Sequence, residues 1–159
     1  MRHFENEVFI KAPADEIFEY ADNPANFSSH MNKSSWMMGG SKMTTHTDKG
    51  GGRKIGSHIK MSWSIFGINL YLNELVTIRE PPLRKEWQTI GDINLLVINH
   101  YRLGFEVEPD KKRSNFRVYI HYDLPKSIQT RWLGLLFGDV YAKWCVNQMI
   151  EGLKNHFIK

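Results

Sequence analysis

A chain of 159 residues suits one domain, 1–159, and a domain of that size buries roughly two thirds of its unfolded surface without a disulfide or a metal. Its 42% apolar and 24% charged content is ordinary for a soluble globule, but the 13% aromatic share exceeds what a bland core needs. A net charge of +4 is too dispersed to mark a nucleic-acid surface, and no apolar run suits a secretory leader or a span of ~18 residues, so a cytoplasmic protein is expected.

His3 to Lys11 alternates, with Phe4, Val8 and Ile10 on one parity, and predicts a first strand ending at Ala12-Pro13. Ile17, Phe18 and Ala21 then recur at helical spacing until Asp22-Asn23-Pro24, and Phe27 with Met31 predicts a second short helix. Strands are expected over Ser35 to Thr47, Ser57 to Phe66, Asn69 to Arg79, Lys85 to Ile90, Leu96 to Glu108 and Ser114 to Leu124. Gly50-Gly51-Gly52, Gly67, Pro81-Pro82, Gly91-Asp92 and Pro109-Asp110 supply the turns. Connections this short exclude parallel crossovers and predict an antiparallel meander.

After Pro125 the period is helical to the C-terminus. Leu135, Ala142, Val146, Met149, Ile150, Leu153 and Phe157 form a stripe expected to face the sheet. Leu133, Leu136, Phe137, Val140, Tyr141 and Trp144 form a second apolar set on the first half only. That set fits a dimer partner, a membrane surface, the cavity entrance or simple coverage by the rest of the chain. The lone Cys145 reads as a small core residue.

Three stretches carry a family likeness: Val8-Phe-Ile-Lys-Ala-Pro-Ala-Asp-Glu-Ile-Phe-Glu-Tyr-Ala-Asp-Asn-Pro24; Ile55-Gly56-Ser57 with the hairpin through Gly67 and Glu74-Leu-Val-Thr-Ile-Arg-Glu-Pro-Pro82; and the final helix ending Met149-Ile-Glu-Gly-Leu-Lys154. In this order they resemble the START-like superfamily of polyketide cyclases/dehydrases, lipid-transport proteins and plant ligand carriers. The resemblance implies an α+β helix-grip fold: a curved antiparallel sheet of about seven strands wrapped on a long C-terminal helix, with two short helices after the first strand. It also implies a hydrophobic cavity between sheet and helix, used by some members for carriage and by others for cyclisation, with no shared catalytic residue.

On the apolar strand phase, Met61, Trp63, Leu72, Trp87, Tyr101, Leu103, Phe105, Phe116, Val118, Ile120 and Tyr122 are the expected ligand-binding residues. Trp63 and Trp87 suit stacking on a flat ligand, or core packing. Glu74 interrupts this phase as a carboxylate between Leu72 and Val76. Buried without a cation its pKa rises, which suits a general acid or base or a handle for a ligand hydroxyl; with a Lys or Arg partner, or at an exposed edge, it has neither role. Asp139 falls on the sheet-facing angle of the long helix and is the second candidate acid or base.

His58, His100 and His121 take the opposite phase, which reads as a solvated convex face. No metal motif, phosphate loop or catalytic triad is present, so no metal and no cofactor is expected. The expected partner is a hydrophobic small molecule such as a lipid, polyketide or aromatic metabolite, with no nucleic acid. Peripheral membrane contact and a homodimer remain options. Three functions stay open: a carrier; a cyclase, dehydratase or isomerase using Glu74 or Asp139; and an accessory protein docking through Leu133, Phe137, Tyr141 and Trp144.

Overall fold

The computed structural model describes residues 1–26 and 43–158. Its elements are β1 (Arg2–Ile10), α1 (Ala14–Asp22), β2 (Thr44–Thr47), β3 (His58–Ile65), β4 (Ile68–Glu80), β5 (Arg84–Thr89), β6 (Tyr101–Asp110), β7 (Arg113–Tyr122) and α2 (Ile128–Phe157). The strands form one antiparallel seven-stranded sheet in the order β1-β7-β6-β5-β4-β3-β2. The first strand therefore closes against the last, while β2 forms the opposite edge. The expected helix around Phe27 and Met31 and the strand portion 35–42 lie outside the described residues.

Turn chemistry sets the register. Ile65 faces Ile68 across the two-residue turn Phe66-Gly67, where both residues have positive φ (49° and 77°), the geometry that matches strand twist. A register shift between Val76 and Ile78 bulges the long β4, a device that bends a strand and increases its twist. The alternation is as expected: Leu70, Leu72, Val76, Leu103, Phe105, Val107, Phe116, Val118 and Ile120 are all buried on the face turned toward the helices. His100 is exposed and His58 and His121 are half-buried on the other.

One expected strand start differs. The apolar run Ile93 to Ile98 is irregular rather than part of β6, which begins at Tyr101. Leu96 has φ 65°, and the segment's ladder contact is a single bridge between Tyr71 and Asn94. Its apolar residues are used differently, since Leu95 and Ile98 are buried in the core.

The long helix buries its expected stripe from Ala142 to Leu153 and departs from it in its first half, at Leu135. Gly134, Gly138, Tyr141, Ala142, Val146, Met149, Ile150 and Leu153 are buried, whereas Leu135 is 56% exposed. The small residues decide the contact: a Cβ on Gly138 would lie 2.9 Å from the Val97 carbonyl oxygen, and one on Gly134 would run into Pro125. Close approach of the helix to the 91–100 segment requires that glycine line. With the glycines facing that segment, Ile128, Trp132, Leu135, Leu136, Phe137 and Val140 are exposed on the first half of α2.

At the end of α1, Asp22 is fully enclosed and bonded by Arg79 (2.7 Å), Lys85 (2.9 Å) and Arg53 (3.1 Å). Burial alone would raise its pKa, but the hydrogen bonds from Arg79, Lys85 and Arg53 outweigh that and hold it below the usual carboxylate range. This network ties α1 to β4, β5 and the glycine-rich turn before β3. Phe18 on α1 meets Phe105 at 5.5 Å between ring centroids, so α1 fills one end of the concave sheet.

Candidate functional site

Between the sheet and α2 lies a cavity of about 70 Å³. Met61 and Trp63 on β3, Leu72 and Glu74 on β4, Trp87 on β5, Tyr101 and Leu103 on β6 and Ile120 on β7 line it. Tyr141, Cys145, Gln148 and Met149 close it from the helix, and Ala21, Pro24, Met43, Ile59, Lys85 and Ile98 complete the wall.

The other expected binding residues lie elsewhere. Phe105, Phe116 and Val118 are fully buried and absent from the lining. Phe105 packs on Phe18, Phe116 and Trp87, making solid core where α1 occupies the sheet. Tyr122 points to the far end, where its hydroxyl donates to Asp139.

Asp139 is also outside the cavity. Its carboxylate is 48% exposed and receives the Arg2 guanidinium at 2.7 Å. Hydrogen bonds from Tyr122 and Arg2 hold its pKa below the ordinary value. The two candidate carboxylates therefore do not meet. Asp139 instead reaches β1 and β7 at the edge of the sheet, through Arg2 and Tyr122.

Glu74 is 2% exposed and has no direct cation partner among the described residues; the Tyr101 hydroxyl donates to its Oε1 and the Trp87 indole N–H also donates to it. Burial pushes its carboxyl up to about 7 despite those donors and the Lys85 charge. Such a group populates both protonation states near neutrality, the property a proton donor-acceptor needs. Burial likewise raises the phenols of Tyr101 and Tyr141 well above their ordinary value and the Cys145 thiol to about 12. Cys145 is thus a protonated wall residue, not a thiolate nucleophile.

Lys85 is the charged residue among the lining residues that sequence reasoning missed, which also include Cys145, Gln148 and Met149 of α2. Lys85 is 2% exposed, and its ammonium donates to the carbonyls of Asp22 (2.8 Å) and Gly52 (2.6 Å) besides pairing with the Asp22 carboxylate. All three ammonium protons are committed, so its role is to anchor the cavity floor. The parity Lys85, Trp87, Thr89 was the available signal, since all three are buried on β5. Tyr141, a member of the second apolar set of the helix, is buried and lines the cavity, in keeping with the cavity option for that set. Among the described residues, no group of three or more His, Cys, Asp or Glu is arranged to hold a metal ion.

No curated protein sequence matches the chain closely enough to count as a relative. Solved structures match in shape at low identity. TTHA0849 from Thermus thermophilus aligns at 12% identity with a TM-score of 0.70, covering 99% of this chain and 97% of that one. Norcoclaurine synthase from Thalictrum flavum, solved in complex with dopamine and hydroxybenzaldehyde, aligns at 14% identity and 0.68, covering 99% and 86%. Major latex-like protein 151 from Panax ginseng aligns at 13% and 0.60, covering 99% and 98%. These likenesses establish the helix-grip fold. Residues 1–156 match the family described as "Polyketide cyclase / dehydrase and lipid transport", and the chain belongs to that family.

Proposed function

We propose that this protein binds a small, mainly apolar molecule between its sheet and α2, with Glu74 as the polar handle. The observation that supports this reading best is a carboxyl near neutrality, enclosed by apolar and aromatic walls, with Tyr101 bonded to it. Apolar walls supply the affinity; Glu74 accepts from a ligand hydroxyl when ionised and donates to a ligand oxygen when protonated. Titrating the protein with phenol and with toluene, each followed by isothermal calorimetry, tests it. Phenol should bind more tightly than toluene, and Glu74→Gln should change that ratio. A chain that binds neither is not this container.

The same pKa favours a second reading, an enzyme of cyclase, dehydratase or isomerase type in which Glu74 shuttles a proton while the cavity holds the substrate folded. The family includes cyclases and dehydrases by description, and the similarly folded Thalictrum flavum protein is a synthase. Glu74→Gln separates the readings: an enzyme keeps binding and loses turnover, whereas a carrier changes only in affinity. Asp139, half-exposed and bonded to Arg2, has no part in either.

Carriage also requires an exchange surface. The exposed Ile128, Trp132 and Leu136 of α2 stand beside the exposed Lys126 and Arg131, a combination suited to an anionic bilayer surface. No helix among the described residues is long and apolar enough to cross a membrane, so this contact would be peripheral. Co-sedimentation with phosphatidylglycerol vesicles that is unchanged in Leu136→Asp rules it out.

A further inference from the structure

Two buried polar atoms at one corner of the sheet have no hydrogen-bond partner among the described residues: the Trp63 indole Nε1–H and the Thr45 hydroxyl oxygen. Trp63 is 6% exposed and lines the cavity. Thr45 on β2 faces Met61 on β3, and Trp63 is two residues further along β3. Thr45, Met61 and Trp63 therefore share the cavity-facing side of the sheet, and a diagonal pair of this kind lies about 7–8 Å apart, within reach of an aromatic side chain. A buried donor without a partner carries its full desolvation penalty, and folded chains keep few such groups without a use.

Both groups can donate, Trp63 only through N–H and Thr45 through its hydroxyl, so what fits between them is an acceptor oxygen with two lone pairs. Among the described residues a carboxylate would meet no free cation there, because the one ammonium they place in the lining, Lys85, is committed to Asp22 and to two carbonyls. A neutral carbonyl carries no such penalty.

Position adds a second constraint. Glu74 faces Ile59 across β3 and β4, four residues along β3 from Trp63. At ~3.4 Å per residue the two backbone positions are about 14 Å apart, with Met61 and Leu72 between them. The polar corner and Glu74 thus sit at opposite ends of an apolar stretch.

We propose that Trp63 and Thr45 form a carbonyl-binding corner, so that the molecule held in the cavity is an apolar ketone, aldehyde or ester whose carbonyl oxygen lies at the β2–β3 edge, away from Glu74. This rests on the container reading above but assigns a different part of the ligand.

Acetophenone, ethylbenzene and benzoate are matched probes for the test. Their affinities are measured by titration while the indole N–H signals are followed by ¹H–¹⁵N correlation spectra, the Trp63 signal being identified by its loss in Trp63→Phe. Acetophenone should shift that signal downfield, and ethylbenzene should not. Trp63→Phe should weaken acetophenone about fivefold relative to ethylbenzene, the worth of one neutral hydrogen bond, and Thr45→Val should act in the same direction with the indole intact. If ethylbenzene binds and neither variant changes the ratio, the orphan groups are served by water and the corner is overturned while the container stands. Benzoate binding above acetophenone overturns the neutral-carbonyl assignment. If no probe binds, the container and the corner fall together.

Discussion

Replacing Glu74 by Gln keeps the shape of the side chain and removes its titration, and the consequence follows from the sign of its shift. A carboxyl that titrates at 4.5 in the unfolded chain and at about 7 when folded holds its proton more tightly in the folded state. Its protonated form is therefore tolerated below pH 4.5, and the folded state loses stability as pH rises from 4.5 through 7. At about 1.4 kcal/mol per pH unit the loss reaches roughly 3 kcal/mol above pH 7. Glu74→Gln does not incur it. The amide can still accept from Tyr101, so the variant should match the wild type at pH 4 and exceed it at pH 8 by up to ~3 kcal/mol. For a chain of this size that corresponds to a Tm higher by about 6–12 °C. Urea unfolding of both proteins between pH 4 and 8 measures the difference directly, since shared pH effects cancel. Two stability curves that run parallel over this range would refute the burial-raised carboxyl.

Other substitutions probe the frame around the site. Lys85→Met leaves Asp22 with Arg79 and Arg53 but strips two buried carbonyls of their donor, and should cost about 2–4 kcal/mol in urea unfolding; a loss below about 0.5 kcal/mol contradicts the anchoring role. Gly134→Ala gains helix propensity of about 1 kcal/mol but forces Pro125 and the Val97 carbonyl away, for a net loss of about 1–2 kcal/mol, and thermal unfolding showing stabilisation would contradict the close approach. Asp139→Asn breaks a half-exposed pair and should change stability by under ~1 kcal/mol and ligand affinity not at all; calorimetric titration that shows lost binding would place Asp139 in the site.

The strand side of the site was legible because sheets have a strict period of two. Once Trp63, Leu72, Tyr101 and Leu103 were placed on the apolar phase, Glu74 stood out among them, and the structure puts these five around one cavity. The same parity includes Phe105, Phe116 and Val118, and alternation alone cannot tell cavity wall from filled core. What divides them is α1, whose Phe18 reaches Phe105. The helix side was less legible. Hydrophobic spacing ignores glycine, yet Gly134 and Gly138 rather than Leu135 are buried in the first half of α2, where Tyr141 joins the buried face and Asp139 lies over Arg2 and Tyr122 at the sheet edge. Asp22 was read only as a helix stop, because nothing local shows that Arg53, Arg79 and Lys85 converge on it from elsewhere in the chain. The run Ile93 to Ile98 has strand composition, but its Val97 carbonyl and Ile98 side chain meet the glycines of α2.

Native mass spectrometry of the protein purified from its own host, followed by denaturing extraction, tests the binding claim most directly. The account predicts a stoichiometric, mainly apolar molecule bearing an oxygen function, and loss of that molecule when Leu72→Trp fills the cavity. Protein that carries nothing, binds none of the small aromatic probes, and is indifferent to Leu72→Trp would contradict it.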